Sequence, residues 1–406
     1  MAKDRDNDSR KLETVLVMQG GGSLGAYECG VYKALSRHGK RFDIVAGTSI
    51  GAINAAIITS SIADDDPSKK LEDFWLTLAQ SIGSPIAFSL SDKNRAILST
   101  TFSATWGNPN AFIPNWLLPD NLKFPIFGLP YPLFDLTPLK QTVSRFIDFD
   151  RLKRRNEGLI HDRPRLIITS TDIQKGEAVV FDNNRTNIER DQIIACIGFP
   201  FYGIGWTKIA DRYLWDGSLL SNTPLVEVID ASPVLDKKVY IVNLFPHSQQ
   251  EVPNDMLEAW HRARDIMYTD KTASNVRTSK IISKHLSLLK DMHEYIMSST
   301  SQSPNKFNNK KLAKIEEEYD KLAHQRGTVI QDIVRIERTE DSRFLFEDAD
   351  FSFETIKKLI CAYVVSVSAT NEASYIGNHI IKSVSIFCLP TRPRCFGGTG
   401  VSFNEI

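Results

Sequence analysis

The pentapeptide Gly47-Thr48-Ser49-Ile50-Gly51 constrains this chain more than any other stretch. Before it runs Phe42-Asp43-Ile44-Val45-Ala46, an apolar run of strand length. After it runs Ala52-Ile53-Asn54-Ala55-Ala56-Ile57-Ile58, apolar on nearly every side, as a buried helix is. Strand, sharp turn and helix around G-x-S-x-G is the context of a nucleophile elbow. Glycines at 47 and 51 relieve the crowding of so tight a turn. The turn lifts the Ser49 hydroxyl clear of the sheet and brings it to a helix N-terminus, where backbone N–H groups favour an anion. The alternative is a Gly-rich turn in which Ser49 only caps the helix.

A second glycine run precedes it. Thr14-Val15-Leu16-Val17-Met18 reads as a strand with apolar residues on both faces, as in a parallel sheet covered by helices. Gln19 then leads into Gly20-Gly21-Gly22-Ser23-Leu24-Gly25 and a helix carrying Ala26, Gly30, Val31, Ala34 and Leu35 on one face. Residues 14–58 thus make a βαβα unit, which argues an α/β fold with a right-handed crossover. Gly20 to Gly25 also fits G-x-G-x-x-G. A dinucleotide site needs an acidic residue near the end of the second strand, but Asp43 opens that strand and its end runs into the elbow. The glycines have another use: bare backbone N–H groups turned into one hollow stabilise an oxyanion.

Composition narrows the classes. Of 406 residues, 49 are Lys or Arg and 49 are Asp or Glu, so no bulk charge draws nucleic acid or an anionic surface. The N-terminal stretch lacks the apolar core of a signal peptide. Cys29, Cys196, Cys361, Cys388 and Cys395 show no metal-ligand spacing and no pairing framework, which fits a reducing compartment. A cytoplasmic protein, with peripheral contact to a membrane, is the expectation.

Further along, residues 81–139 alternate prolines with aromatics, among them Trp106, Phe112, Trp116 and Phe134. They read as a loop-rich insertion, either lipid-facing or a second core under a long loop. Thr137 and Pro138 read as N-cap and first residue of a helix. Leu166–Thr171 and Ala178–Phe181 read as strands, and Asp216-Gly217-Ser218 follows a strand end. Asp216 there is either a plain Asp-Gly turn or the partner of Ser49. The sheet is expected to end near Leu244. Residues from about 254 to 338 are charged helix formers, and no period is visible after Cys361. Of the histidines after Asp216, none lies in a strand-end setting suited to catalysis. His285, His293 and His324 read as surface residues of charged helices.

Gln19-Gly20-Gly21-Gly22-Ser23-Leu24-Gly25-Ala26-Tyr27, Gly47-Thr48-Ser49-Ile50-Gly51 and Asp216-Gly217-Ser218, in that order, resemble the patatin-like phospholipases. The resemblance covers residues 12–250, and the helical appendage is like that of one bacterial branch. It implies a three-layer α/β/α sandwich with a mostly parallel sheet. It leaves residues 251–345 as a helical extension and 346–406 as a C-terminal segment of unclear structure. It implies a Ser–Asp dyad, with Ser49 as nucleophile and Asp216 as base. The oxyanion hole would come from Gly20, Gly21, Gly22 and Ser23, and Gly47, Thr48, Ile50, Gly51 and Gly217 would complete the motifs. Leu24 stands where many members carry a basic residue, and Ser218 where Gly or Ala is common.

The implied reaction is acyl transfer from a phospholipid or other acyl lipid to Ser49, then hydrolysis by water. Aspartate is an intrinsically weak base, and burial beside Leu214 and Trp215 would raise its proton affinity. Neither step calls for a metal or an organic cofactor. Two other classes stay open: a soluble esterase or thioesterase on small acyl donors, and a non-catalytic lipid- or protein-binding member.

Overall fold

The computed structural model describes residues 12–61, 66–79, 92–115, 131–154, 163–232, 235–249, 251–302, 314–315, 317–319, 321, 328, 330–338, 346–361, 368–369 and 383–385. Trp116 and nearly all of the chain after Cys361 lie outside the described residues.

In chain order the elements are β1 (Glu13–Met18), α1 (Gly25–Arg37), β2 (Ile44–Thr48), α2 (Ile50–Ser60), α3 (Pro67–Leu78) and α4 (Asp92–Trp106). Then come β3 (Ile113–Pro114), β4 (Phe134–Asp135), α5 (Thr137–Phe146), β5 (Arg165–Asp172), β6 (Glu177–Asp182), α6 (Arg190–Ala195), β7 (Thr207–Ile209) and β8 (Arg212–Asp216). α7 (Leu225–Ala231), β9 (Lys237–Asn243), α8 (Met256–Gln302), β10 (Ile330–Glu337), α9 (Phe353–Cys361), β11 (Ser368–Ala369) and β12 (Ser383–Ser385) follow. The main sheet runs β11-β12-β10-β9-β1-β2-β5-β8-β7, with β6 also on β5. β10, β9, β1, β2 and β5 pair in parallel, while β6, β7 and β8 are antiparallel.

The layers follow from the strand period of two. Leu16, Met18 and Val45 face the larger core, with Ile53 and Ile57 of α2, Phe74 and Trp75 of α3, and Val143 of α5. Val15, Val17, Ile44 and Ala46 face the other way, onto Leu225 and Val228 of α7. Both sheet faces are covered, which is why Val15–Met18 and Ile44–Ala46 are apolar without alternation. The arrangement is a mostly parallel sheet between helical layers, as the α/β/α expectation has it. α2 is buried at every residue from Ile50 to Ser60. Its one strongly polar side chain is satisfied: Asn54 donates to the Gly25 carbonyl and the Glu28 carboxyl, and accepts from the Trp75 indole at 3.1 Å. Burial pushes the Glu28 carboxyl in this knot between α1, α2 and α3 well above its ordinary value, against the hydrogen bond from Asn54.

Several sequence readings change. The sheet does not end near Leu244: residues 330–337, read as part of a helical stretch, form β10 beside β9. A register shift between Ile330 and Asp332 hid the strand period. Ile330 and Ile333 therefore share one face, while Val334 and Ile336 reach the other. Within the charged stretch before it, Met256–Gln302 is one helix, α8, of 47 residues. The Pro-broken segment contains a regular helix, α4, in a stretch between its prolines. Thr137 is inside α5 instead of capping it, because the Asp135 carboxylate takes both the Thr137 amide and hydroxyl. Among the described residues no helix is long and apolar enough to cross a membrane.

A buried ion pair ties β5 to β6. Arg165 opens β5 and makes a two-pronged contact with Asp182 at the end of β6, with both side chains at most 8% exposed. Removing Arg165 leaves the buried Asp182 carboxylate with only the largely exposed Arg185, 3.5 Å away, so Arg165→Leu is expected to cost about 3–5 kcal/mol. Urea unfolding of the two proteins measures it. A loss below about 1 kcal/mol, the scale of an exposed pair, would mean that water reaches Asp182.

Candidate active site

The site forms on one edge of β5. β2 pairs with β5 from Ile44↔Arg165 up to Thr48↔Thr169. β8 runs the opposite way along the same edge, from Asp172↔Leu214 to Ser170↔Asp216, while β6 occupies the other edge. The ends of β2 and β8 therefore meet, and the next residue of one chain segment, Ser49, faces the last residue of the other, Asp216. Thr48 and Thr169 hydroxyls share a 2.7 Å hydrogen bond, and Thr171 donates to the Asp216 carbonyl at 3.0 Å. The junction is pinned from both sides.

Ser49 has φ 55°, a left-handed conformation unusual for a residue with a side chain. It occupies the N-cap position of α2, yet its hydroxyl makes no cap bond. The neighbouring glycines explain how the turn closes. A Cβ on Gly47 would collide with the Gly51 carbonyl, and one on Gly51 would stand 2.6 Å from the Met18 carbonyl. Thr48 is buried and spends its hydroxyl on Thr169 and the Ser221 carbonyl; Ile50 lines the cavity beside Ser49.

The glycine run lies directly against Ser49. A Cβ on Gly20 would come within 2.9 Å of the Ser49 Cβ. The Gly20 amide donates to the Asn222 carbonyl at 3.3 Å, so it is already used. Among the described residues the Gly21 and Gly22 amides have no acceptor. Bare backbone donors of this kind are what a developing oxyanion would need, and Gly22 adopts φ 55°. Ser23 is fully buried and its hydroxyl donates to the Glu347 carbonyl at 3.2 Å, away from the cavity. Gly217 packs on the Thr169 carbonyl, directly after Asp216.

Asp216 is 2% exposed. One carboxylate oxygen accepts the Ser218 amide at 2.8 Å, the Asp-Gly turn that the sequence offered as an alternative. The same carboxyl also meets the Ser49 hydroxyl, so the turn and the pairing coexist. Burial pushes the carboxyl up to about 6, against the hydrogen bonds from Ser49 and Ser218, which pull it down. Ser49 and Asp216 open into a cavity of about 360 Å³. Its walls are largely apolar, with Leu78, Phe112, Phe134, Leu139, Ile197 and Phe351 among them.

Part of this wall was invisible in the motifs. Gln19 accepts the Leu244 and Phe245 amides, and donates to the Thr223 hydroxyl and, at 3.4 Å, to the Tyr268 carbonyl on α8. It latches the glycine run to three distant segments. Residues 346–351 form a strap over the same run. Glu347 accepts from Arg264 at 3.1 Å and Arg338 at 2.8 Å, and Asp348 from Arg264 at 3.0 Å and Tyr202 at 2.6 Å. Despite burial, Arg338, His261 and Arg264 hold the Glu347 carboxyl down to about 2. The strap's register is fixed on the loop, since a Cβ on Gly22 would strike the Asp348 carbonyl. His261 lies in this cluster with Asp265 and Glu347, ligand atoms within 4.8 Å of one another. Arg264 and Arg338 already supply positive charge to those carboxylates, as a cation would. The one sequence signal for the strap is the acidic cluster Glu347, Asp348 and Asp350 bracketed by Phe346, Phe351 and Phe353.

Residues 16–229, more than half of the chain, match the sequence model of the Patatin family, patatin-like phospholipase. No curated protein matches the chain. Three solved structures are similar. VipD from Legionella pneumophila is 12% identical, with 86% of this chain and 67% of that chain covered and a TM-score of 0.31. The type III effector protein ExoU is 14% identical, with 77% and 70% covered and a TM-score of 0.23. The heterodimeric ExoU–SpcU complex from the type III secretion system of Pseudomonas aeruginosa gives 17% identity, 66% and 51% coverage and a TM-score of 0.24.

The raised Asp216 carboxyl has a stability consequence. Its folded value of about 6 exceeds its ordinary 3.8, so the folded state holds this proton where the unfolded state has lost it. Stability then falls as pH rises through that window, by about 3 kcal/mol in all. Asp216→Asn removes the buried charge. It is expected to be more stable than the parent at pH 8, by ~1–3 kcal/mol, and equal to it near pH 4. Urea midpoints at the two pH values test this; a variant no more stable at pH 8 would show that the carboxylate is well solvated.

Proposed function

This chain belongs to the patatin-like phospholipase family, and from that membership we propose that it is a phospholipase A-type lipid acyl hydrolase using a Ser49–Asp216 dyad. One observation carries the reading: a strained, uncapped serine meets a buried carboxyl of raised proton affinity, at the floor of a largely apolar cavity.

In the proposed cycle the Ser49 oxygen attacks the ester carbonyl and Asp216 takes its proton. Charge developing on the carbonyl oxygen is received by the Gly21 and Gly22 amides, which need not reorganise to meet it. The acyl–oxygen bond breaks, Asp216 returns the proton to the leaving alkoxide, and water then cleaves the acyl-enzyme with Asp216 again as base. A base near 6 is a compromise: basic enough to draw on a hydroxyl, acidic enough to be ionised at neutral pH.

A lipid substrate is supported by the cavity lining. Of segment 81–139, Phe112, Leu133, Phe134 and Leu139 line the cavity, as an interior reading of those rings has it. Phe102 and Trp106 instead stand out from α4, Trp106 at 60% exposure, and Phe201 on the cavity rim is 76% exposed. These exposed rings are the ones we assign to peripheral contact with lipid.

Wild type and Ser49→Ala incubated with mixed phospholipids, and analysed by mass spectrometry for released fatty acid, provide the test. Loss of release on the order of 10⁴- to 10⁶-fold in Ser49→Ala is expected. The pH profile adds a second check. With Asp216 as base, kcat/KM should rise with pH through about 6 and level off above it. Turnover confined to short soluble esters, with no gain from micelles, would move the assignment to a soluble esterase. Full release by Ser49→Ala would remove the dyad.

A further inference from the structure

Resting on the acyl-hydrolase reading, we propose that Tyr268 is a further catalytic residue, whose phenol donates a hydrogen bond to the leaving-group oxygen of the ester as the acyl–oxygen bond breaks. The argument starts from which donors of the cavity wall are already used. Tyr202 gives its hydroxyl to Asp348 at 2.6 Å, and Asn222 gives its amide to the Gly20 carbonyl at 3.2 Å. The Ser218 hydroxyl bonds Asp216. The Thr100 hydroxyl lacks a partner but is closed off inside the wall made by α4. Tyr268 lines the same cavity, and among the described residues its hydroxyl has no partner.

The ring is held in place. Its face tilts on Phe245 at 4.9 Å, its carbonyl accepts from Gln19, and the next residue, Thr269, donates to the Phe245 carbonyl at 3.2 Å. Since Gln19 immediately precedes the glycine run, one side chain ties the backbone of Tyr268 to that run. Burial raises the phenol's proton affinity, and the charges of Asp216 and Asp348 raise it further. The hydroxyl therefore stays a donor at neutral pH, where Asp216 is ionised.

The chemistry assigns its acceptor. Three atoms change charge in the acylation step. The carbonyl oxygen has the Gly21 and Gly22 amides, and the Ser49 oxygen has Asp216. The third is the ester oxygen, which takes the electron pair of the breaking bond and finally the proton that left Ser49. Tyr268 keeps its own proton and only stabilises the charge on that oxygen. The residue lies beyond residues 16–229, so the family motifs carry no information about it.

Two esters of one acyl group separate this role from a structural one. An alkyl ester leaves as a strongly basic alkoxide; a p-nitrophenyl ester leaves as a stabilised phenolate that needs little help. For Tyr268→Phe, kcat/KM should fall roughly 100-fold on the alkyl ester and stay within about twofold on the p-nitrophenyl ester. Tyr268→3-fluorotyrosine keeps the donor and should restore the alkyl-ester rate to within about twofold of the parent. Equal losses on both esters, or no loss on either, would overturn the proposal. So would an alkyl-ester rate that 3-fluorotyrosine fails to restore. Ser49→Ala is run alongside. If it hydrolyses the p-nitrophenyl ester as the parent does, the dyad and this inference fall together; if it is inactive, a failed Tyr268 pattern sinks the inference alone.

Discussion

One edge of β5 serves two strands, and the site depends on that sharing. A parallel strand arriving from below and an antiparallel strand arriving from above stop at adjacent residues, Thr169 and Ser170. Whatever follows the first and ends the second must then face each other. Backbone hydrogen bonding sets that distance, so Ser49 and Asp216 owe their meeting to the sheet instead of to flexible side chains. The Thr48–Thr169 hydroxyl pair reinforces the junction inside the core, where such a bond is hard to exchange for water. Gly217 is the price of the arrangement: the chain turns away from Asp216 directly on top of the Thr169 carbonyl, and a side chain has no room there.

The junction is energetically unfavourable in itself. A left-handed serine costs ~1–3 kcal/mol, and the desolvated Asp216 carboxylate adds a similar amount at neutral pH. What holds it is packing on both flanks. α2 is buried along its whole length, so the serine at its N-terminus cannot relax its backbone without moving a helix in the core. β2 is likewise buried at every residue. Strain concentrated in two residues, carried by elements with no freedom to yield, is the pattern of a preorganised site.

Sequence reasoning reached what is local. Gly47 to Gly51 is a turn whose geometry is set by the residues inside it, and its flanking strand and helix are continuous apolar runs. Gly20 to Gly25 is similar. The Asp-Gly pair at 216 is short and common, and became informative through its order relative to the other two motifs. What was missed depends on contacts between distant residues. β10 was hidden by a bulge that broke its alternation and by Asp332, Arg335 and Glu337 on its path. The Thr137 cap, a local miss, was misplaced by one residue because the Asp135 carboxylate takes the Thr137 amide and hydroxyl, and the helix begins with Leu136 at its N-cap. Nothing in the glycine run shows that the Ser23 hydroxyl will donate to the Glu347 carbonyl. No periodicity in the strap at 346–351 announces that it will cover a glycine run more than 300 residues earlier.

That strap changes what the matched family segment means. Residues 16–229 supply the serine, the aspartate and the glycine amides, but not a closed cavity. Phe245, Tyr268, Phe346, Asp348 and Phe351 complete the wall, and each lies after that segment. The attachment is polar where it touches the loop. Asp265, Glu347 and Asp348 face Arg264, Arg338 and His261, with His261 3.6 Å from Asp265 and 3.5 Å from Glu347. A buried pair of this kind adds little stability over an apolar one, but it tolerates few alternative geometries, since any slip leaves a charge without a partner. Its two carboxylate residues also place their carbonyls on Ser23 and Gly22. The position of Gly22, and with it of the proposed oxyanion donors, is therefore set jointly by the sheet beneath it and by an ion-pair cluster built from residues 261–348.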